Sequence, residues 1–196
     1  MLGRQALKTK RTREAIINAV ISLIKEGGFA AASSSKIAER AGTTWGAVQH
    51  HFGTKEDILD SILEMSHERF TIRMADAALR TGSLADRVSL FVDRMWAHYQ
   101  EDLYLVALEI LLATRAFSGK VSANLQKRQA RSHLKTLREV FHDSKLDDTH
   151  LLEALRFTHC FLDGLTIERV FETRTRNVDR HLQRIKMAML IMLTEM

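Results

Sequence analysis

Two pairs of side chains have the spacing of a metal site. Glu64 and His67, and likewise Glu139 and His142, stand three residues apart, so on a helix each pair shares a face. Two such pairs on neighbouring bundle helices can chelate a two-metal centre. That centre needs a Glu from each of two further helices, and Glu109, inside an apolar run, is the one attractive donor. Two short matches among nine histidines and many glutamates arise easily by chance, so no metal or cofactor is expected. His50-His51 is no better, because adjacent helical residues point in different directions. No strained nucleophile turn or Gly-rich phosphate loop accompanies the serines, the histidines or the single cysteine, Cys160, and the chain does not read as an enzyme.

A different chemistry is concentrated between Ser33 and Phe52. Ala38, Gly42 and Val48 have the spacing of a helix-turn-helix: the small Ala lets the second helix approach, the Gly takes the turn, and the branched residue anchors the third helix. Thr43 or Thr44 can cap that third helix, aiming its free N–H groups and positive dipole end at a phosphate. Its exposed side offers Thr44, Trp45, Gln49 and His50 and no acid, which an ordinary antiparallel helix pair has no reason to do. Ahead of it, Arg4, Lys8, Lys10, Arg11 and Arg13 precede the first acid, Glu14, and a basic arm of this kind suits a phosphate backbone or a minor groove. A frayed, solvated terminus would have the same composition, so the arm only supports the DNA reading. The net charge of +5 and pI near 9.6 favour acidic partners without choosing one. A helical protein-interaction module with an incidental helix-turn-helix is the rival, and the acid-free face argues against it.

The elements that must position these residues are helical throughout. The chain has 196 residues and no proline, so Gly27-Gly28, Gly42, Gly53, Gly82 and Gly119 punctuate it, and no stretch alternates with the strand period. The periodicity predicts a first helix over Thr12 to Glu26 with Ile16, Val20, Leu23 and Ile24 inward, and a short second helix capped among Ser33 to Ser35. A third follows over Thr44 to Phe52. Thr54 to Asp57 reads as a capping box that opens a long fourth helix. Further helices are expected from Ser83, over Leu103 to Ala113, over Lys120 to Phe141, over Asp147 to Phe171, and from Thr175 onward. The expected architecture is all-α, with an N-terminal three-helix DNA-binding domain (1–55) joined by a long helix to a C-terminal effector-binding and dimerisation domain (56–196).

Ile37-Ala38, Ala41-Gly42, Gly46, His51-Phe52 and Lys55-Glu56, followed by Leu59, strongly resemble the signature of the TetR (tetracycline-repressor-like) regulators, and Gly27-Gly28-Phe29 resembles that family's exit from its first helix. The resemblance covers about a quarter of the chain without a gap. It implies a symmetric dimer that binds a palindromic operator and represses until a small ligand loosens it. By position it gives Thr44, His51 and Lys55 to phosphates, and Trp45, Gln49 and His50 to base edges or backbone; Ser33, Ser34 and Thr43 complete the expected DNA-binding set. Two departures stand out. Thr43 replaces a usual Val, and Gln49 replaces a common Tyr, so Gln49 becomes a candidate for bidentate pairing with an adenine edge.

The final two helices are apolar beyond one stripe, which asks for a second copy of the chain. Leu155, Leu162, Gly164, Leu165, Ile185, Met189 and Met192 are the expected interface, with Gly164 allowing close approach. An effector cavity is expected from His67, Phe70, Met74, Trp96, Tyr99, Glu109 and Phe141. The seventh helix carries six basic residues and no acid from Lys120 to Arg138, with Lys127, Arg131, Lys135 and Arg138 on one face, which suggests an amphipathic or anionic effector if it is more than a solvated surface. The lack of an apolar leader or of a long uncharged apolar span predicts a soluble, cytoplasmic protein with no membrane partner.

Overall fold

The structure, a computed structural model, describes residues 3–114, 123–171 and 177–194. Among these, regular structure is helical only: α1 (Arg4–Gly27), α2 (Ser34–Arg40), α3 (Trp45–Phe52), α4 (Lys55–Met74), α5 (Leu84–Tyr99), α6 (Asp102–Thr114), α7 (Ala123–Val140), α8 (Asp148–Phe171) and α9 (Val178–Thr194), with 3-10 turns at Phe29–Ala31 and Ala77–Arg80. None of these helices is long and apolar enough to cross a membrane.

Local chemistry sets the helix starts. Ser33 accepts from Lys36 N at 3.4 Å and caps α2, and Thr44 accepts from Ala47 N at 3.2 Å and caps α3. Before α4, Thr54 N donates to the Asp57 carboxylate at 2.8 Å while Asp57 N donates back to the Thr54 hydroxyl at 3.2 Å. The reciprocal Ser83–Asp86 pair opens α5 in the same way. One expectation changes at a helix end and another falls outside the described residues. The basic arm is not an extended tail: α1 is already helical at Arg4, because Gln5, Ala6, Leu7 and Lys8 are good helix formers with no Gly or Pro among them. Residues 115–122, where the seventh helix is expected to begin, lie outside the described part.

The chain divides into two compact units. The first contains α1, α2, α3, α4 as far as Ser66, and α6. Its core is built from Ile16, Val20, Leu23, Ile24, Ile37, Ala38, Val48, Ile58, Leu59, Ile62, Leu63, Val106 and Ile110, all buried. A bidentate pair between Arg40 and Glu26, at 2.7 and 2.8 Å, ties the end of α2 to the end of α1 and holds the Glu26 carboxyl below its ordinary range. A salt bridge between Lys25 and Asp102 fastens α1 to the start of α6.

The second unit runs from His67 through α5 and takes in α7, α8 and α9. Val88, Phe91, Val92, Met95, Leu137, Phe141, Leu151, Leu162, Ile185 and Met189 fill its centre. The rings of Phe91 and Phe141 meet edge to face at 5.4 Å. Arg87 is buried beside them and is satisfied at its outer end, by Gly82 O at 2.8 Å and by the Asp143 carboxylate. Truncating Phe141 removes a fully buried ring, so Phe141→Ala should lower stability by about 3–5 kcal/mol, read as a lower urea midpoint at unchanged slope.

Candidate nucleic-acid interface

The turn between α2 and α3 is set by Gly42, whose φ of 66° is a backbone conformation L side chains rarely adopt, and by Thr43 N donating to Ala38 O at 2.9 Å. Thr43 is thereby half-buried. Thr44 is left exposed at the helix start with its hydroxyl oxygen accepting from Ala47 N, so the cap takes up one of the first-turn N–H groups of α3. Val48 is fully buried beneath and pins the middle of α3 to the unit.

The expected DNA contacts fall on three elements. Gln49 and His50 are exposed on α3 and Trp45 is half-buried on its first turn. The rings of His50 and His51 stand 5.6 Å apart at a steep angle, with His51 the more covered of the two. Ser33 and Ser34 are half-buried at the head of α2, where Ser33 is already engaged as the cap and sits 3.2 Å from the Ser35 hydroxyl. Lys55 opens α4 with its ammonium 4.9 Å from the centroid of the Phe29 ring.

Two side chains shape this surface through long-range contacts that local sequence spacing does not announce. The Glu109 carboxylate, from α6, accepts from Phe29 N at the junction of α1 and α2 and so fixes the residue whose ring underlies Lys55. Arg13 donates from Nη1 to the main-chain oxygen of His51, and its guanidinium lies 3.8 Å from the centroid of the Phe52 ring. Glu109 is also the expected cavity residue that joins a different unit. It belongs with the first unit, because the backbone N–H of Phe29 gives its carboxylate a partner there.

The other six expected effector residues belong to the second unit. His67 and Phe70 on α4 meet His133 on α7 at ring separations of 5.1 and 5.3 Å, and Phe70 stands 5.6 Å from His98 on α5. Tyr99 shares a hydrogen bond with His159 of α8, and His159 Nε2 is 3.4 Å from Asp163. Met74 and Phe141 are core residues, and Trp96 is half-buried with the Arg169 guanidinium 5.9 Å from its ring. His98 and His133, which join this group of rings, are not among the sequence-derived candidates.

Of the basic face of α7, the Lys127 side chain lies outside the described part. Arg131 and Lys135 are exposed, Lys135 stands 4.0 Å from Glu139, and Arg138 is bonded to Asp148 and to Leu146 O at 2.9 Å. Glu139 also pairs with Arg80, so half of the second Glu-x-x-His spacing is spent on an ion pair. Among the described residues no group of three His, Cys, Asp or Glu is placed to hold a metal.

Leu155, Leu162, Leu165, Ile185 and Met189 are buried by their own unit, Met192 is half-buried and Gly164 is exposed. The first five are therefore covered before any second copy arrives. Among the described residues of α8 and α9, the exposed large apolar side chains are Phe157 and Ile167 on α8, flanking Cys160 and Gly164, and Met187 and Ile191 on α9; Leu7, Ile72, Leu111 and Leu112 are exposed on other helices.

The histidines carry a pH dependence. Burial pushes His98 down to about 4, against the pull of Glu101 and with the help of Arg73, and pushes His133 down to about 4 with smaller contributions from His67 and His159. Burial lowers His67 as well. The unfolded chain, with histidines near their ordinary value of about 6.5, therefore binds protons first as the pH falls. Stability held above that value is lost as pH drops toward 4, at up to about 1.4 kcal/mol per pH unit for each histidine. His133→Phe should flatten part of this slope in urea midpoints measured from pH 7 to pH 4.5.

Comparison with known proteins agrees with the geometry. Residues 16–62 match the family of bacterial regulatory proteins, tetR family. The chain is 34% identical over 71 residues to the HTH-type transcriptional regulator PksA of Bacillus subtilis, covering 36% of this chain and 35% of that protein. It is 30% identical over 94 residues to the HTH-type transcriptional repressor KstR of Mycolicibacterium smegmatis, covering 48% and 45%. The chain thus spans less than half the length of these two relatives. Its fold is that of a transcriptional regulator from Rhodococcus sp. Rha1, with a TM-score of 0.70 at 20% identity over 92% of this chain and 95% of that one.

Proposed function

We propose that this chain, whose residues 16–62 match the tetR family of bacterial regulatory proteins, regulates transcription by binding a palindromic operator as a homodimer, repressing until a small molecule releases it. The observation that carries this reading is the outer side of α3. It presents Thr44 at a capped, positively polarised helix start and Gln49 and His50 further along, on a helix without a single acid. Phosphate contacts fall to Thr44, His51 and Lys55, and base-edge contacts to Gln49 and His50 with Trp45 beside them. KstR, named a repressor, favours repression over activation.

The dimer rests on the uncovered apolar residues of α8 and α9. Phe157, Cys160, Gly164 and Ile167 recur at helical spacing along one side of α8, and Met187 and Ile191 stand one turn apart on α9. A two-fold axis would cover all six at once with a four-helix arrangement, and the exposed Gly164 would let backbones approach. For the effector, the grouping of His67, Phe70, His98, Tyr99 and His133 in the second unit supports a ligand held by neutral imidazoles and aromatic faces. An amphipathic small molecule fits that polarity.

Purified protein should enrich a palindromic sequence from genome fragments of its source, and the enrichment should survive a rise in salt; retention only at low salt would leave non-specific attraction alone. Gln49→Ala should weaken the enriched site more than random DNA, whereas an equal loss on both would make Gln49 a phosphate contact. Light scattering at micromolar concentration should give a dimer. The pair Met187→Asp and Ile191→Asp should give a folded monomer, and an undisturbed dimer would place the interface elsewhere.

A further inference from the structure

Among the described side chains of the basic run at the head of α1, Arg13 behaves unlike Lys8, Lys10 and Arg11. Lys8, Lys10 and Arg11 are exposed, Lys10 with Glu14 at 3.9 Å one turn on. Arg13 instead turns onto the end of α3, donating to His51 O and covering the Phe52 ring. The last carbonyls of a helix have no partner inside it. In α3 that of Gln49 accepts from Gly53 N at 2.7 Å, and that of His51 is taken by Arg13. The guanidinium charge also sits at the negative end of the helix dipole.

We propose that Arg13 is a positioning residue for sequence-specific DNA recognition: it holds the last turn of α3 so that Gln49 and His50 meet base edges at a fixed angle, and it does not itself neutralise a phosphate. The physical ground is a difference in tolerance. Hydrogen bonds to base edges fail when the helix rocks by a fraction of an ångström, while attraction to the phosphate chain survives such a shift. Gly53 follows α3 directly with a φ of 93°, so the helix ends there, with Gly53 N on the Gln49 carbonyl and the His51 carbonyl left for Arg13. The clamp comes from α1, whose buried face of Ile16, Val20, Leu23 and Ile24 is anchored in the core of the unit.

This inference rests on the regulator reading, and its test separates the two. Binding of the enriched operator and of a random fragment of equal length would be titrated by fluorescence anisotropy at several salt concentrations, for wild type, Arg13→Gln and Arg13→Lys, with melting temperatures measured in parallel. The expected result is that Arg13→Gln weakens operator binding about tenfold and leaves random-fragment affinity and the salt slope as in wild type. Arg13→Lys, which keeps a donor and a cation, should recover part of the loss. A salt slope shallower by about one, with both fragments weakened, would make Arg13 a phosphate contact. Unchanged operator binding in the Gln variant would also overturn the proposal, as would a fall in melting temperature with equal loss on both fragments in both variants. Wild-type protein that does not distinguish operator from random DNA sinks the regulator reading itself, whatever the variants do.

Discussion

An eight-residue helix cannot hold its own shape or direction in water, and α3 is eight residues long. Everything it could do to DNA depends on being fixed from outside. Thr44 satisfies its first turn, buried Val48 fastens its middle, and Arg13 with Gly53 takes up its last carbonyls. The turn at Gly42 and the Arg40–Glu26 pair fix α2, on which α3 leans. The side chains left over from this anchoring are the ones facing solvent. The recognition surface is thus what remains of a short helix once its structural obligations have been met.

Features carried by neighbouring residues were legible in the sequence. The caps were legible as short segments, among Ser33 to Ser35, at Thr43 or Thr44, at Thr54 and near Ser83, because each involves residues within three positions; the structure selects Ser33 and Thr44. The inward face of α1 was readable because burial of Ile16, Val20, Leu23 and Ile24 repeats with the helical period. Contacts between distant positions were not. Arg13 and His51 are 38 residues apart, Lys25 and Asp102 are 77 apart, and Phe29 and Glu109 are 80 apart, and nothing in local spacing links them. Arg13 was readable as a basic residue, while its direction was not. On α8 and α9 composition announced too much apolar surface for one stripe, but periodicity alone does not say which apolar side is the chain's own core. Leu155 and Leu162 proved to be inside, and Phe157 and Ile167 outside.

The second unit spends its polarity sparingly. Arg87 is buried with Gly82 O and Asp143 as partners, and the imidazoles of His98 and His133 lie among aromatic rings and remain neutral at ordinary pH. A core with such groups is less stable than one made wholly of leucine and phenylalanine. What it gains is a set of hydrogen-bonding groups in an apolar setting, where binding energy is strongest. The same composition on an exposed surface would be solvated and unselective.

The first unit is not contiguous in the chain. Its helices α1 to α4 come from the start of the sequence, and α6 joins them only after α5 has been laid down as part of the other unit. On a ribosome, the buried faces of Val106 and Ile110 and the carboxylate that fixes Phe29 arrive last. The N-terminal helices must therefore wait, incompletely covered, while some thirty-five further residues are made. A recombination event that cuts after α4 would carry away a module missing one wall.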